Sequence, residues 1–212
     1  MQKPLQLRYI TKEFIAQFLP EDPITLEAGA HKGKDTLAMH AQWPKSMIHT
    51  FEPVPHLYEK LKEKVSDIPS IHCYQLALNY QIGTATLYES IGKIDAASSL
   101  LAPHDYFNEK PIQFIQIEVP TITIDAWTHE NDIKKIDFMW LDLQGAELSV
   151  LKAAGNILKT VKVIHTEANL IERYKNSPLY PELKDWLESQ GFEVIAESFY
   201  KGSWGNILLI KK

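Results

Sequence analysis

Cysteine is nearly missing from this sequence: Cys73 is the single one in 212 residues. A lone thiol closes no internal disulfide and builds no Cys-based zinc site. Cys73 is therefore read as a small buried residue of a strand. Long apolar runs are missing as well. No uncharged stretch approaches the ~20 residues that a membrane-spanning helix needs. The opening residues, 1–14, lack the apolar core of a secretory leader, so the expected compartment is the cytoplasm. An excess of positive charge is also missing. The formal net charge is −5, a poor field for a polyanion, and nucleic acid is not the expected partner. There are no internal repeats and no low-complexity segments.

What is present suits a folded enzyme-sized core. Hydrophobic residues make up 45% and charged residues 23%, the balance of a globular chain. The length fits one α/β domain better than two. We expect a single domain over 1–212, opened by a helical segment at 1–20 and interrupted by an inserted β or lid region at 84–124.

Strands and helices alternate along most of the chain. The patterns predict strands at 24–28, 47–51 and 71–78, with helices at 33–41 and 55–65, the latter opened by Pro55. The middle is different: 84–88 and 112–124 alternate as antiparallel strands, with Pro120 interrupting the second. Regular alternation then returns. A strand at 136–143 is followed by a helix at 146–158, a strand at 161–166 and a helix at 178–189 closed by Gly191. Two last strands, 192–198 and 207–210, leave no room for a helix between them and must form a hairpin. The predicted fold is therefore a doubly wound, mostly parallel α/β sheet with an antiparallel strand near its C-terminal edge.

Open sheets of this kind bind ligands beyond the carboxyl ends of their strands, and four motifs fall there. The first is Glu27-Ala28-Gly29-Ala30-His31-Lys32-Gly33, between strand and helix. A dinucleotide loop would read G-x-G-x-x-G; here the middle glycine is Ala30 and an acid stands at 27. That acid could meet an ammonium and would repel a phosphate. A tight strand-to-helix turn accounts for the loop equally well. A bulky residue at Gly29 is expected to cost binding much and stability little. The second motif is Glu52-Pro53, where the acid can accept both hydroxyls of a ribose. The third is Trp140 to Glu147, with Asp142 at a strand end and Glu147 near a helix start, where it also complements the helix dipole. The fourth is His165 and Glu167. His165 could act as a general base, although a satisfied core histidine is the commoner outcome.

Taken together, these residues resemble the FkbM family of class I methyltransferases. Its acid-x-G-A-x-x-G loop matches Glu27 to Gly33, and its F-E-P matches Phe51-Glu52-Pro53. Ala77-Leu78, Gly83, Ser98-Ser99-Leu100 and a strand end at Ile124-Asp125 follow in order. The run from Ile136 to Glu147 matches I-D-x-x-K-I-D-x-E-G-x-E with two departures: Trp140 stands for the lysine and Gln144 for the glutamate. The resemblance covers about 24–170 and implies a Rossmann-like, S-adenosylmethionine-dependent enzyme. It would transfer a methyl group to a hydroxyl of a sugar or small-molecule natural product. The cofactor would meet Glu27, Gly29, Ala30, His31, Gly33, Glu52, Pro53, Ala77, Leu78 and Asp142. Catalysis would fall to Asp142, His165 and Glu167, and acceptor contacts to Ser98, Ser99, His104 and Glu147, with the 84–124 region as a lid. Acids at these strand ends could hold magnesium in a related group, but no metal is expected here. A small-molecule or glycan acceptor is the expected partner, and a homodimer is left open. Two alternatives remain at this point: an NAD-dependent oxidoreductase or epimerase, and a non-catalytic binding protein with the same fold.

Overall fold

The computed structural model describes residues 3–212. Its eleven strands are β1 (Leu5–Gln6), β2 (Ile24–Ala28), β3 (Met47–Phe51), β4 (Ile71–Tyr74), β5 (Ala77–Leu78), β6 (Gly83–Ile91), β7 (Gln113–Ile122), β8 (Phe138–Leu141), β9 (Val163–Asn169), β10 (Phe192–Tyr200) and β11 (Trp204–Lys211). Its helices are α1 (Lys12–Ile15), α2 (Lys34–Gln42), α3 (Pro55–Val65), α4 (Ile124–Glu130), α5 (Glu147–Lys152) and α6 (Tyr180–Ser189). Eight strands form one sheet in the order β1-β10-β11-β9-β8-β2-β3-β4, and three form a second in the order β5-β7-β6. In the large sheet every neighbouring pair is parallel except the two that involve β11, which runs antiparallel to both β10 and β9. The hairpin required by the short connection is thus in place. No helix among the described residues is long and apolar enough to cross a membrane.

The strands of the large sheet are apolar on both faces because helices cover both. One face carries Leu26, Met139, Leu141 and Ile164, packed under Trp127, Leu148, Leu151 and Leu187 of α4, α5 and α6. The other carries Ile48, Phe138, Val163 and Leu208, packed under Ile15, Met39 and Leu61 of α1, α2 and α3. Burying such side chains on both faces is the main force that closes the sheet between its helix layers.

The structure revises several boundaries. The apolar run 71–78 is two strands, not one. Ile71–Tyr74 pairs with β3, whereas Ala77 and Leu78 pair with Thr121 and Ile122 of the small sheet. A continuous apolar run does not record a change of partner. The alternating stretch 112–124 ends at Ile122, and Ile124-Asp125 opens α4 rather than closing a strand. The Thr123 hydroxyl accepts the Ala126 N–H at 3.1 Å and caps that helix, a local signal that outweighs the alternation. Pro120 is tolerated because β5 pairs only from Thr121 onward, so β7 is flanked there by β6 alone. The helix expected at 146–158 is α5 followed by a 3-10 stretch at Gly155–Lys159.

Candidate functional site

The carboxyl ends of β2, β3 and β8 converge on one cleft. At the end of β2 the chain turns through Gly29, φ +85°. The N–H groups of Gly29 and Ala30 both donate to the Phe51 carbonyl at 3.1 Å, which ties the loop to the end of β3. A Cβ on Gly29 would stand 2.0 Å from the Asp142 carbonyl oxygen. Glycine is needed here because β8 passes so close. This overturns the expectation that a bulky residue at 29 would cost stability little. Ala30 is buried beneath the loop, and Gly33, with φ +75°, is the N-cap of α2.

Glu27 does not line the cleft. It is 1% exposed, and its Oε2 accepts the hydroxyls of Thr36 at 2.6 Å and Thr50 at 2.7 Å. Its Oε1 has no partner. Burial raises its pKa to about 7, and the threonine hydroxyls oppose this. Glu27 therefore ties α2 and β3 to β2 from below, two residues short of the turn.

Glu52 does line the cleft, beside Gly29, Pro53, Ala77, Leu78 and Asp142. Its Oε2 accepts the His31 N–H at 2.7 Å and its Oε1 the Val54 N–H at 2.9 Å. Burial raises its pKa to about 7 against those two hydrogen bonds. A carboxylate offers about four acceptor positions, so about two remain for an incoming pair of hydroxyls. Phe51, Leu78, Leu87 and Leu100 make the adjoining walls apolar, as a flat base requires. This donor and wall chemistry fits an adenosyl cofactor. His31 and Asp95 line the next lobe with Glu52 and Asp142.

Asp95 is a residue that sequence reasoning missed. It pairs with Lys32 and stands 3.3 Å from His31 Nε2. The inserted region is thus clasped to the first loop. The two cleft lobes keep only about 60 Å³ of open space each. Ligand pockets run to about 300–1,000 Å³, so the cleft is narrow in this form, with Asp95 and Ser98 along one side.

Asp142 follows β8 and is exposed at the bottom of the cleft. The protein around it thins its solvent and raises its carboxyl above the ordinary range, while the Gln144 amide opposes this. Gln144 Nε2 donates to Asp142 Oδ1 at 2.6 Å and to Glu167 Oε2 at 3.0 Å. Glu167 is buried and also accepts from Arg173 Nη1 at 2.8 Å. Burial and the nearby Asp142 charge raise its pKa well above the carboxylate range, against the pull of Arg173.

Beyond Asp142 opens a second cavity of about 390 Å³, walled by Tyr106, Phe107, Lys110, Arg173 and Trp204, with Gln144 and Glu167 among its lining. The Arg173 guanidinium lies 4.8 Å from the Trp204 ring centre. None of these aromatic residues was marked by a motif. Arg173 could have been noticed: it is one of two arginines in the chain and follows a strand end.

The remaining candidates divide between the core, the cleft wall and the surface. His165 is 3% exposed and stacks on Trp140 with ring centres 3.8 Å apart. Burial holds its pKa down at about 3, so it stays neutral in the core and lines no cavity described above. Lys12 of α1 lies over the other aromatic partner, 4.2 Å from the Trp140 ring centre. A cation therefore still attends the position where the FkbM pattern has lysine, supplied from α1. Glu147 turns back on its own loop, accepting the N–H groups of Leu143 at 2.9 Å and Gly145 at 3.0 Å. It shapes the loop and makes no wall of either cavity. Ser98 lines the cleft. Ser99 also borders it, mostly buried, and donates to the Gln144 carbonyl at 2.9 Å. His104 lies outside both cavities, 3.9 Å from Glu172. No group of three His, Cys, Asp or Glu side chains placed to share a metal ion occurs among the described residues.

Comparison with known proteins agrees with this geometry. Residues 27–194 match the methyltransferase FkbM domain. The chain is 26% identical to the 2-O-methyltransferase NoeI of Sinorhizobium fredii, over 99% of this chain and 88% of that protein. It is 21% identical to the methyltransferase sdnD of Sordaria araneosa, over 90% and 83% of the two chains. Among solved structures, the methyltransferase FkbM of Methylobacillus flagellatus superposes with a TM-score of 0.58 at 15% identity, over 93% of this chain and 46% of that one. Aeropyrum pernix fibrillarin with natively bound S-adenosyl-L-methionine superposes at 0.51 and 14% identity, over 91% and 69%. With its motifs, strand order and 27–194 match in agreement, this chain belongs to the FkbM methyltransferase family and is an S-adenosylmethionine-dependent methyltransferase.

Proposed function

We propose that the enzyme methylates a hydroxyl of a sugar or small-molecule natural product, with Asp142 accepting the hydroxyl proton. One observation carries this reading: Asp142 lines both the cofactor cleft and the 390 Å³ cavity beyond it. It is the residue where a donor on one side and an acceptor on the other would meet. S-Adenosylmethionine supplies a methyl group on a sulfonium, which needs alignment with a nucleophile more than it needs activation. Glu52 would fix the ribose end, and the apolar walls would hold the base. Tyr106 and Trp204 offer flat apolar faces to an acceptor ring, while Arg173 and Asp142 offer polar groups at its edge. Arg173 Nε, buried and without a partner, supplies one more donor for an acceptor oxygen. The name of the Sinorhizobium relative, a 2-O-methyltransferase, supports oxygen as the methylated atom. The acidic net charge supports a small-molecule or glycan acceptor over nucleic acid, met in the cytoplasm.

The test is a panel of glycosides and hydroxylated natural products scored by S-adenosylhomocysteine release. With an acceptor in hand, Asp142→Asn should lower kcat about 10²–10⁴-fold, the usual loss of a general base. Its affinity for S-adenosylhomocysteine should stay within about threefold of the parent, under 1 kcal/mol. If affinity falls in proportion to turnover, Asp142 serves the cofactor alone and the assignment fails.

A further inference from the structure

We propose that Gln144 is a positioning residue, whose neutral amide orients the Asp142 carboxylate and locks it to the wall of the acceptor cavity. The inference rests on Asp142 being the proton acceptor, and it accounts for the second departure from the FkbM pattern.

The backbone of Gln144 is held in advance. Glu147 grips the N–H groups on either side, at Leu143 and Gly145, and the residue sits in the left-handed region at φ +52°. A non-glycine residue is held there only when its surroundings compensate. The Ser99 hydroxyl then takes its carbonyl at 2.9 Å. The side chain has little freedom left, and it is 6% exposed.

The amide ends are sorted by their neighbours. The oxygen stands 2.7 Å from the Tyr174 hydroxyl and 3.3 Å from Arg173 Nη2, two donors. The nitrogen faces two carboxylates, Asp142 and Glu167. Turning the amide over would set an oxygen against both acids and an NH₂ against a guanidinium. Only one orientation satisfies all four contacts. Glutamine does what glutamate could not do at this place while ionised: it donates to two acids at once.

The charges around Asp142 show why neutrality matters. The charges of Glu147 on α5, Glu167 on β9 and Asp35 on α2 act on it or feel it, and Arg173 supplies an opposing charge. Glu52, His31 and Asp95 share its cleft, and Lys110 shares its cavity. A glutamate at 144 would add another acid to a group already short of cations. Protons would then be shared among the acids, Asp142 included.

The variants Gln144→Glu and Gln144→Met test this. The Asp142 carboxyl is followed by ¹³C NMR titration, assigned with Asp142→Asn. In Gln144→Glu its titration should move up by about one pH unit, as expected for an added like charge. The acid limb of kcat/KM should move up with it by the same amount, so that activity falls by up to about tenfold on the acid side of the limb and matches the parent above it. Gln144→Met, similar in length but without the amide, should lose kcat at every pH and keep the parent affinity for S-adenosylhomocysteine. A merely structural role would lower both variants uniformly, with no displaced limb. The proposal is overturned if the Asp142 titration in Gln144→Glu matches the parent, or if Gln144→Met retains full kcat. Should the NMR titration move while the rate profile does not, positioning stands and the role of Asp142 as base falls.

Discussion

Gly29→Ala adds a single methyl group where the ends of β2 and β8 come together. The new Cβ would meet the Asp142 carbonyl oxygen at 2.0 Å, so one strand end must move by more than an ångström. Three costs follow. Alanine at φ +85° carries roughly 1–2 kcal/mol of backbone strain. Overpacking a rigid site adds about 1–3 kcal/mol. The Asp142 N–H to Ala28 O hydrogen bond, 3.0 Å long, lies in the path of the displacement, and its loss costs about 1 kcal/mol. The sum is about 3–6 kcal/mol, and at about 2–4 °C per kcal/mol for a chain of this size Tm should fall by roughly 6–24 °C. The same displacement moves Asp142 and His31, which line the cleft beside Gly29. Affinity for S-adenosylhomocysteine should therefore drop at least about tenfold, or 1.4 kcal/mol. Differential scanning calorimetry and isothermal titration calorimetry read the two effects. A variant that melts within about 2 °C of the parent, less than 1 kcal/mol, and binds normally would refute the close approach of β8 as the reason for glycine.

Glu52→Ala removes the carboxylate but leaves the apolar walls. S-Adenosylhomocysteine binding should weaken about tenfold or more, following a loss of roughly 1–3 kcal/mol in hydrogen bonding, and unchanged calorimetric affinity would exclude the ribose assignment. Glu27 gives a pH effect of definite sign. Its folded pKa of about 7 lies above the ordinary 4.5, so its contribution to stability is fully present below pH 4.5 and is lost as pH rises through 7. Glu27→Gln should match the parent at pH 4 and exceed it by about 2–3 kcal/mol at pH 8; denaturant unfolding at the two pH values checks this, and equal stabilities at pH 8 would contradict it. His165→Ala should cost about 2–4 kcal/mol as a cavity against Trp140 and leave the kcat of the folded fraction within threefold. A hundredfold fall in kcat would return His165 to the active site.

The sheet was readable because its two-sided burial leaves near-continuous apolar strands, and because the hairpin of β10 and β11 has no room for a helix. The first three strand-end motifs were readable for a similar reason: open sheets put ligands where parallel strands finish. Orientation was the hidden part. Glu27, Glu147 and His165 all stand close to the edge in sequence, but two of them face hydrogen-bond partners inside the protein and the third faces Trp140. Spacing gives a position along a strand and says nothing of what lies across it. The second cavity was hidden for another reason. Tyr106, Phe107, Arg173 and Trp204 come from three separate segments, and only the folded chain brings them together.

The clasp between Lys32 and Asp95 ties the inserted region across one side of the cleft beside Glu52. A cofactor held in that cleft would exchange more freely with the clasp open. The side chains of the clasp are about one-third exposed, and an ion pair so placed is worth only about 1 kcal/mol or less. A catch of that strength would favour the clasped form only slightly and would open readily. Salt weakens such pairs. With a cofactor in that cleft, product release, and turnover wherever release limits it, should quicken with ionic strength. The clasp would then be adjustable through surface charge at 32 and 95, apart from the hydrogen-bonded groups around Asp142.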